Sequence, residues 1–96
     1  MCKSEKISSF IDLTSLNAFD SSKSIEAFIQ NAIENKKKGF NVAAVCLYPN
    51  FAQLAKTTLK GTGIRTAVVA GSFPSSQSFL STRLNECEMA LNAGAD

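Results

Sequence analysis

The sequence of 96 residues contains no histidine and no tryptophan, and only two prolines and three cysteines. Without histidine there is no imidazole to act as a general base or as the commonest ligand of transition metals. The cysteines (Cys2, Cys46 and Cys87) are odd in number and widely spaced, which indicates neither a disulfide framework nor a zinc site. The sequence therefore predicts no metal site and a reducing compartment.

A strong charge excess and long apolar runs are missing as well. Ten Lys/Arg and eight Asp/Glu give a net charge of +2, so no basic face for nucleic acid is predicted. No segment approaches the roughly 20 continuous apolar residues that span a bilayer. Residues 1–12 lack the apolar core and cleavage site of a signal peptide. We therefore expect a cytoplasmic protein with neither a nucleic-acid nor a membrane partner.

Hydrophobic residues make up 45% of the sequence, which is enough apolar material for one small domain. Along the chain, patterns typical of strands alternate with patterns typical of helices. Short apolar runs predict strands near 8–14, 41–48 and 64–70, and helical spacing predicts helices near 23–38, 51–60 and 77–92. The order is β-α-β-α-β-α. Helices between successive strands require crossover connections, which predict an α/β fold with a parallel sheet.

The helix patterns also predict which residues cap each helix and which face the core. Ser22 is the expected N-cap of the first helix, Asn50 that of the second, and the serines between 75 and 78 that of the third. The expected core face of the third helix consists of Leu80, Leu84, Cys87 and Leu91. Residues 93–96 resemble the approach to a fourth strand, so residues 1–96 are predicted to be a single partial domain with one open sheet edge.

Sites in folds of repeated βα units lie where the strands end at their carboxyl side. This rule selects Asp12 and Thr14, then Cys46 and Tyr48, then Ser72 and Phe73. Asp12 is the sharpest candidate, because a lone carboxylate in an apolar strand is costly unless it is hydrogen-bonded or binds a ligand. The alternative is that Asp12 caps nearby backbone N–H groups. For Cys46, a buried hydrophobic role is favoured over that of a nucleophile.

Four segments together resemble the N-terminal part of the deoxyribose-phosphate aldolase family. They are residues 11–17 (IDLTSLN), residues 43–49 (AAVCLYP), Phe73-Pro74 and residues 94–96 (GAD). Members of this family are class I aldolases built as (β/α)₈ TIM barrels. The resemblance implies that this chain is the first three βα units of such a barrel, with parallel strands and the barrel incomplete.

The resemblance further implies cleavage of 2-deoxy-D-ribose 5-phosphate to acetaldehyde and D-glyceraldehyde 3-phosphate, without cofactors. The Schiff-base lysine, a second lysine and the proton-relay aspartate of the family lie after Asp96, so no catalytic residue is expected within this chain and the chain alone is predicted to be inactive. The residues carried over to the substrate pocket are Asp12, Thr14, Leu16, Cys46 and Phe73. The full-length protein could be a homo-oligomer. The family usually reads Gly-Phe-Pro where this chain has an additional Ser72 before Phe73.

Two other functions remain open on the sequence. One is a free-standing α/β module that binds a partner without catalysis, although such a module should protect its edge strands with charge or proline, and the runs 42–47 and 67–70 have neither. The other is a thiol-reactive protein built on Cys46, for which no neighbouring cation in the sequence would lower the thiol pKa.

Overall fold

The computed structural model describes residues 3–96, so Cys2 lies outside the described residues. Its helices are α1 (Lys3–Ser8), α2 (Ser22–Lys37), α3 (Ala52–Thr58) and α4 (Leu80–Asn92), and a short 3₁₀ turn, Pro49–Phe51, leads into α3. Its strands are β1 (Asp12–Thr14), β2 (Ala44–Leu47) and β3 (Arg65–Val68). None of the helices within residues 3–96 is long and apolar enough to cross a membrane.

The three strands form one parallel sheet in the order β1-β2-β3. Thr14 pairs with Cys46, and Cys46 pairs in turn with Ala67. Helices α2 and α3 connect strands that are neighbours in the sheet, as parallel pairing requires. The predicted α/β fold with three parallel strands is confirmed.

The hydrophobic core lies between one face of this sheet and the helices α2 and α3. Val45 and Leu47 of β2 are fully buried, and Ile25 and Ile29 of α2 are 0% exposed. Ala55 of α3 completes this contact. Because side chains alternate along a strand, Cys46, which lies between Val45 and Leu47, must point to the opposite face of the sheet.

The predicted boundaries are wrong at the start of the first strand. Ser8 ends helix α1 instead of beginning a strand, and its hydroxyl donates to the Glu5 carbonyl at 2.6 Å. Ser9 makes the same contact with the Lys6 carbonyl. Serine hydroxyls that bond to carbonyls three residues earlier compete with regular structure. Strand β1 therefore begins only at Asp12.

The predicted helix caps are wrong in each case. Ser21, one residue before the predicted Ser22, is the N-cap of α2, and Asn50 lies inside the 3₁₀ turn. Helix α4 begins at Leu80 after Phe79, whose side chain makes no capping hydrogen bond. The serines from 75 to 78 belong to the preceding loop, where two other contacts engage Ser75 and Ser78.

The predicted core face of α4 is also wrong in this structure. Leu80, Leu84, Cys87 and Leu91 are exposed, and Ala90 is the one buried residue of the helix. The spacing correctly places these apolar side chains on one stripe of a helix. Burial additionally needs a neighbouring element, and within residues 3–96 none covers this stripe.

Candidate functional site

The strands bring three of the five expected pocket residues onto one face of the sheet. Thr14 and Cys46 are register partners, and Asp12 precedes Thr14 by two residues, so all three point away from the face that packs on α2. Asp12 and Thr14 are exposed and Cys46 is half-buried. This open face presents a carboxylate, a hydroxyl and a thiol side by side.

Asp12 does not occupy the apolar environment expected from the sequence. It is the first residue of β1 and is exposed, and its carboxylate makes no hydrogen bond or ion pair within residues 3–96. The capping alternative is likewise not seen among the described residues. The reason is that the Asp12 side chain is itself exposed to solvent. A charge on it costs little free energy, and its acceptor capacity remains available.

Thr14 is tied to its own strand. Its hydroxyl donates to the main-chain carbonyl of Asp12 at 2.9 Å. One residue later, the Ser15 N–H donates to the Cys46 carbonyl at 3.0 Å, which continues the pairing beyond the assigned strand. Leu16 follows as a half-buried residue at the carboxyl end of β1. The carboxyl end of β1 is therefore held by one hydrogen bond within its own strand and by one to β2.

The loop from β1 to α2 is organised by Asp20, a residue that the sequence reasoning missed. Its carboxylate accepts hydrogen bonds from the Ser15 hydroxyl (2.9 Å), the Asn17 N–H (3.1 Å) and the Ser24 hydroxyl (3.3 Å). Desolvation raises the pKa of Asp20, but these donors together lower it below its ordinary value. Aspartate is common in turns, but the sequence does not show that its partners here are Ser15 and Asn17, which precede it.

The loop after β3 carries Phe73 in an unusual backbone conformation. Gly71 and Ser72 both have positive φ angles (71° and 63°), and the Phe73-Pro74 peptide bond is cis. Phe73 is 45% exposed. This loop leaves the carboxyl end of β3, the same edge at which β1 and β2 end. Phe73 is therefore placed at that edge, while Asp12, Thr14 and Cys46 lie on the strands.

A second polar contact holds the outer edge of β3. The Asp96 N–H donates to the Thr66 carbonyl at 2.8 Å, and the Thr66 N–H donates to the Asp96 carboxylate at 2.9 Å. Lys56 lies 3.4 Å from the same carboxylate. The Thr66 hydrogen bond, helped by the Lys56 charge, lowers the pKa of Asp96. The predicted approach of residues 93–96 toward a fourth strand position therefore has a physical counterpart in this pairing.

Two clefts of the structure are lined by residues other than the five expected pocket residues. One cleft of about 340 Å³ runs along the outer edge of β3 and is lined by Val68, Ala70 and Leu91, among others. Another of about 590 Å³ lies where α3 ends and β3 begins. Within residues 3–96 no cluster of three Cys, Asp or Glu side chains could hold a metal ion. Asp12, Thr14 and Cys46 therefore lie on an open face of the sheet and in neither of these two clefts.

Comparison with known proteins relates this chain to deoxyribose-phosphate aldolases. No protein-family model matches the chain. The deoxyribose-phosphate aldolase of Homo sapiens is 37% identical over 103 aligned residues, which cover 94% of this chain and 32% of that protein. That of Aciduliprofundum boonei is 37% identical over 91 residues, covering 95% and 38%. The chain matches the N-terminal portion of the deoxyribose-phosphate aldolases.

The fold agrees with this assignment. The tetrameric deoxyribose phosphate aldolase of Aeropyrum pernix superimposes with a TM-score of 0.78 at 26% identity, over 97% of this chain and 37% of that structure. The expected architecture, the first three βα units of a (β/α)₈ aldolase barrel, is thereby confirmed. The chain spans about a third of the length of the aldolases that it matches.

Proposed function

We propose that this chain forms part of the substrate-binding wall of an aldolase that cleaves 2-deoxy-D-ribose 5-phosphate to acetaldehyde and D-glyceraldehyde 3-phosphate. The observation that supports this proposal most is the register of the sheet. It aligns Asp12, Thr14 and Cys46 on one open face, with the Phe73 loop at the carboxyl edge. Asp12 would orient a substrate hydroxyl, and Thr14, Leu16, Cys46 and Phe73 would shape the pocket.

The lysines of the chain support a Schiff-base residue outside residues 1–96. A lysine that forms a Schiff base must be desolvated or lie beside another cation, so that its amine loses its proton. The eight lysines lie on helices, at the end of α2 or in the turn after α3, and none follows the carboxyl end of a strand. Lys36 is half-buried, and its amine is engaged by the Thr62 carbonyl. In this proposal the chain contributes binding and not the nucleophile.

A chimaera tests the proposed activity directly. Residues 1–96 replace the matching N-terminal segment of the human aldolase, and cleavage of 2-deoxy-D-ribose 5-phosphate is measured after gel filtration and circular dichroism have shown a folded product. We expect cleavage above that of the human C-terminal segment alone. A folded chimaera without cleavage would contradict the proposal.

Within the chimaera, Asp12→Asn is expected to keep the fold and lower kcat/KM by about tenfold, because an amide oxygen is a weaker acceptor than a carboxylate. The matched control is Glu26→Gln, which changes an exposed carboxylate on α2, the helix that packs on the opposite face of the sheet. An unchanged kcat/KM for Asp12→Asn would remove Asp12 from the substrate site.

The chain by itself is proposed to lack aldolase activity. The purified chain is incubated with acetaldehyde and borohydride at neutral pH, and adducts are located by peptide mass mapping. We expect slow labelling scattered over the helix lysines. Rapid labelling of a single lysine, together with cleavage of the sugar phosphate, would overturn the proposal.

The proposed compartment, pathway and partners of the protein follow from its similarity to the aldolases. We propose a cytoplasmic protein of deoxyribose phosphate and nucleotide catabolism, with no cofactor, whose partners are the sugar phosphate and other copies of the full-length protein. The aldolase from Aeropyrum pernix is described as tetrameric, which supports looking for homo-oligomers. A free-standing binding module has less support, because the relatives that the chain matches are aldolases.

A further inference from the structure

The backbone at Ser72 is held in a conformation that a serine does not favour. Its φ of 63° follows a φ of 71° at Gly71, so two consecutive residues are left-handed. Glycine adopts this region freely, whereas other residues pay for the proximity of Cβ to the backbone. Such a residue persists only where its surroundings over-determine it. Contacts with other residues must therefore hold Ser72 in this conformation.

Glu86 of α4 supplies the contact of longest range. Its carboxylate oxygen Oε1 accepts a hydrogen bond from the Ser72 N–H at 3.1 Å, across 14 positions of the chain. Glu86 is half-buried on a helix that otherwise buries little. A hydrogen bond from an amide to a carboxylate is stronger than one between neutral groups. The contact thus links the residue immediately before Phe73 to helix α4.

The remaining contacts of the loop close it on itself. The hydroxyls of Ser72 and Ser78 lie 2.5 Å apart, and the Ser76 N–H donates to the Ser72 carbonyl at 2.9 Å. In both contacts the two partners belong to the loop itself. Glu86 is the partner of Ser72 that belongs to a helix.

We propose that Glu86 is a positioning residue of the substrate site, which acts by holding Ser72 in its left-handed conformation and so setting the direction of Phe73. This inference rests on the proposed function for the importance of Phe73, but the anchoring itself is tested without any activity. The hydrogen bond of Glu86 reaches Ser72, the residue before Phe73, and not Phe73 itself. Its effect reaches the pocket through the backbone of Ser72.

The test uses the 96-residue chain and amide hydrogen exchange measured by NMR. For Glu86→Ala we expect exchange of the Ser72 amide to accelerate about tenfold or more, with lower backbone order at Phe73. Glu86→Gln retains an acceptor oxygen, so its exchange rate should fall between those of the parent chain and the alanine variant. The matched control is Glu88→Ala, which removes an exposed carboxylate two positions further along the same helix.

Three results would overturn the proposal. The first is unchanged exchange at Ser72 in Glu86→Ala, and the second is acceleration of equal size in Glu88→Ala. The third is acceleration that extends equally to the core amides of Val45 and Leu47 in both Glu86 variants, because that pattern reports general loss of structure. None of these results depends on cleavage of a sugar phosphate. Failure here and failure of the proposed function are therefore separate outcomes.

Discussion

Helices α2 and α4 have similar apolar patterns in the sequence but opposite fates in the structure. Helix α2 buries Ile25, Ile29 and Ala32 against the sheet. Helix α4 buries Ala90, while Leu84 on its apolar stripe remains 60% exposed. Periodicity therefore tells which side of a helix is apolar. Whether that side is buried depends on a neighbour that the helix's own sequence does not encode.

The two helices also begin differently. At the start of α2, the Ser24 N–H donates to the Ser21 hydroxyl and the Ser21 N–H donates to the Ser24 hydroxyl, a reciprocal capping box. At the start of α4, Phe79 occupies the cap position with an extended backbone and no side-chain acceptor. Local chemistry and packing thus both stabilise α2, whereas α4 has no capping side chain and buries one residue.

The largest expected effect separates the two apolar faces. Ile29→Ala should lower the free energy of unfolding by about 2–5 kcal/mol, because it leaves a cavity in the core. Leu84→Ala should change it by less than about 0.5 kcal/mol, since its side chain is already in solvent. Urea unfolding followed by circular dichroism measures both. Equal losses would mean that α4 packs on a partner in solution, for instance a second copy of the chain.

The next effect concerns the caps and should have opposite signs in the two helices. Ser21→Ala is expected to cost about 1 kcal/mol, because the Ser24 N–H loses its acceptor. Phe79→Asp should stabilise the chain by about 0.5–1 kcal/mol, because an aspartate at an N-cap accepts from the first-turn N–H groups. Phe79 is 85% exposed, so little packing is lost. A destabilised Phe79→Asp variant would show that this phenylalanine contributes more than its exposure indicates.

The smallest expected effect is a pH dependence that originates at Asp20, before α2. Its folded pKa is lowered by hydrogen bonds from Ser15, Asn17 and Ser24, which outweigh desolvation. The stabilisation is therefore fully present above the ordinary aspartate value of 3.8 and is lost as the pH falls through the lower pKa of the folded state. Thermal unfolding of Asp20→Asn should show a flatter dependence on pH in this acidic range. An identical profile for the parent chain and the variant would exclude Asp20 as the source.

The sequence allowed most of the fold to be predicted where the signals were continuous. The uninterrupted apolar run around Val45 predicted a strand of a parallel sheet, and the stripe containing Ile25 and Ile29 predicted α2. Boundaries failed where serines could bond in more than one way. Ser8 closes a helix by bonding back to Glu5, and Ser21 rather than Ser22 caps α2. Residue type alone does not choose between adjacent serines.

The role of the candidate site residues stays a prediction, but the structure shows how they are placed relative to one another. The rule that sites follow the carboxyl ends of parallel strands selected Thr14, Cys46 and Phe73, and the register brings the first two together. The same reasoning expected Asp12 to be costly in an apolar strand, yet its side chain is exposed. The anchoring of Ser72 by Glu86 was not predicted, because it links residues far apart in sequence and depends on where α4 lies.

The two edges of the sheet differ in their tendency to recruit another chain. At β1, the Asp12 carbonyl is occupied by the Thr14 hydroxyl, and a charged side chain stands beside it. At β3, Asp96 makes hydrogen bonds to both the N–H and the carbonyl of Thr66. No strand within residues 3–96 lies alongside Val68, the next outward-facing residue of β3. An apolar edge with unpaired backbone groups is a template for intermolecular β-sheet. Aggregation of the isolated chain should therefore begin at the β3 edge and not at the β1 edge. The substitution Val68→Lys, which places a charge on the β3 edge, should reduce it.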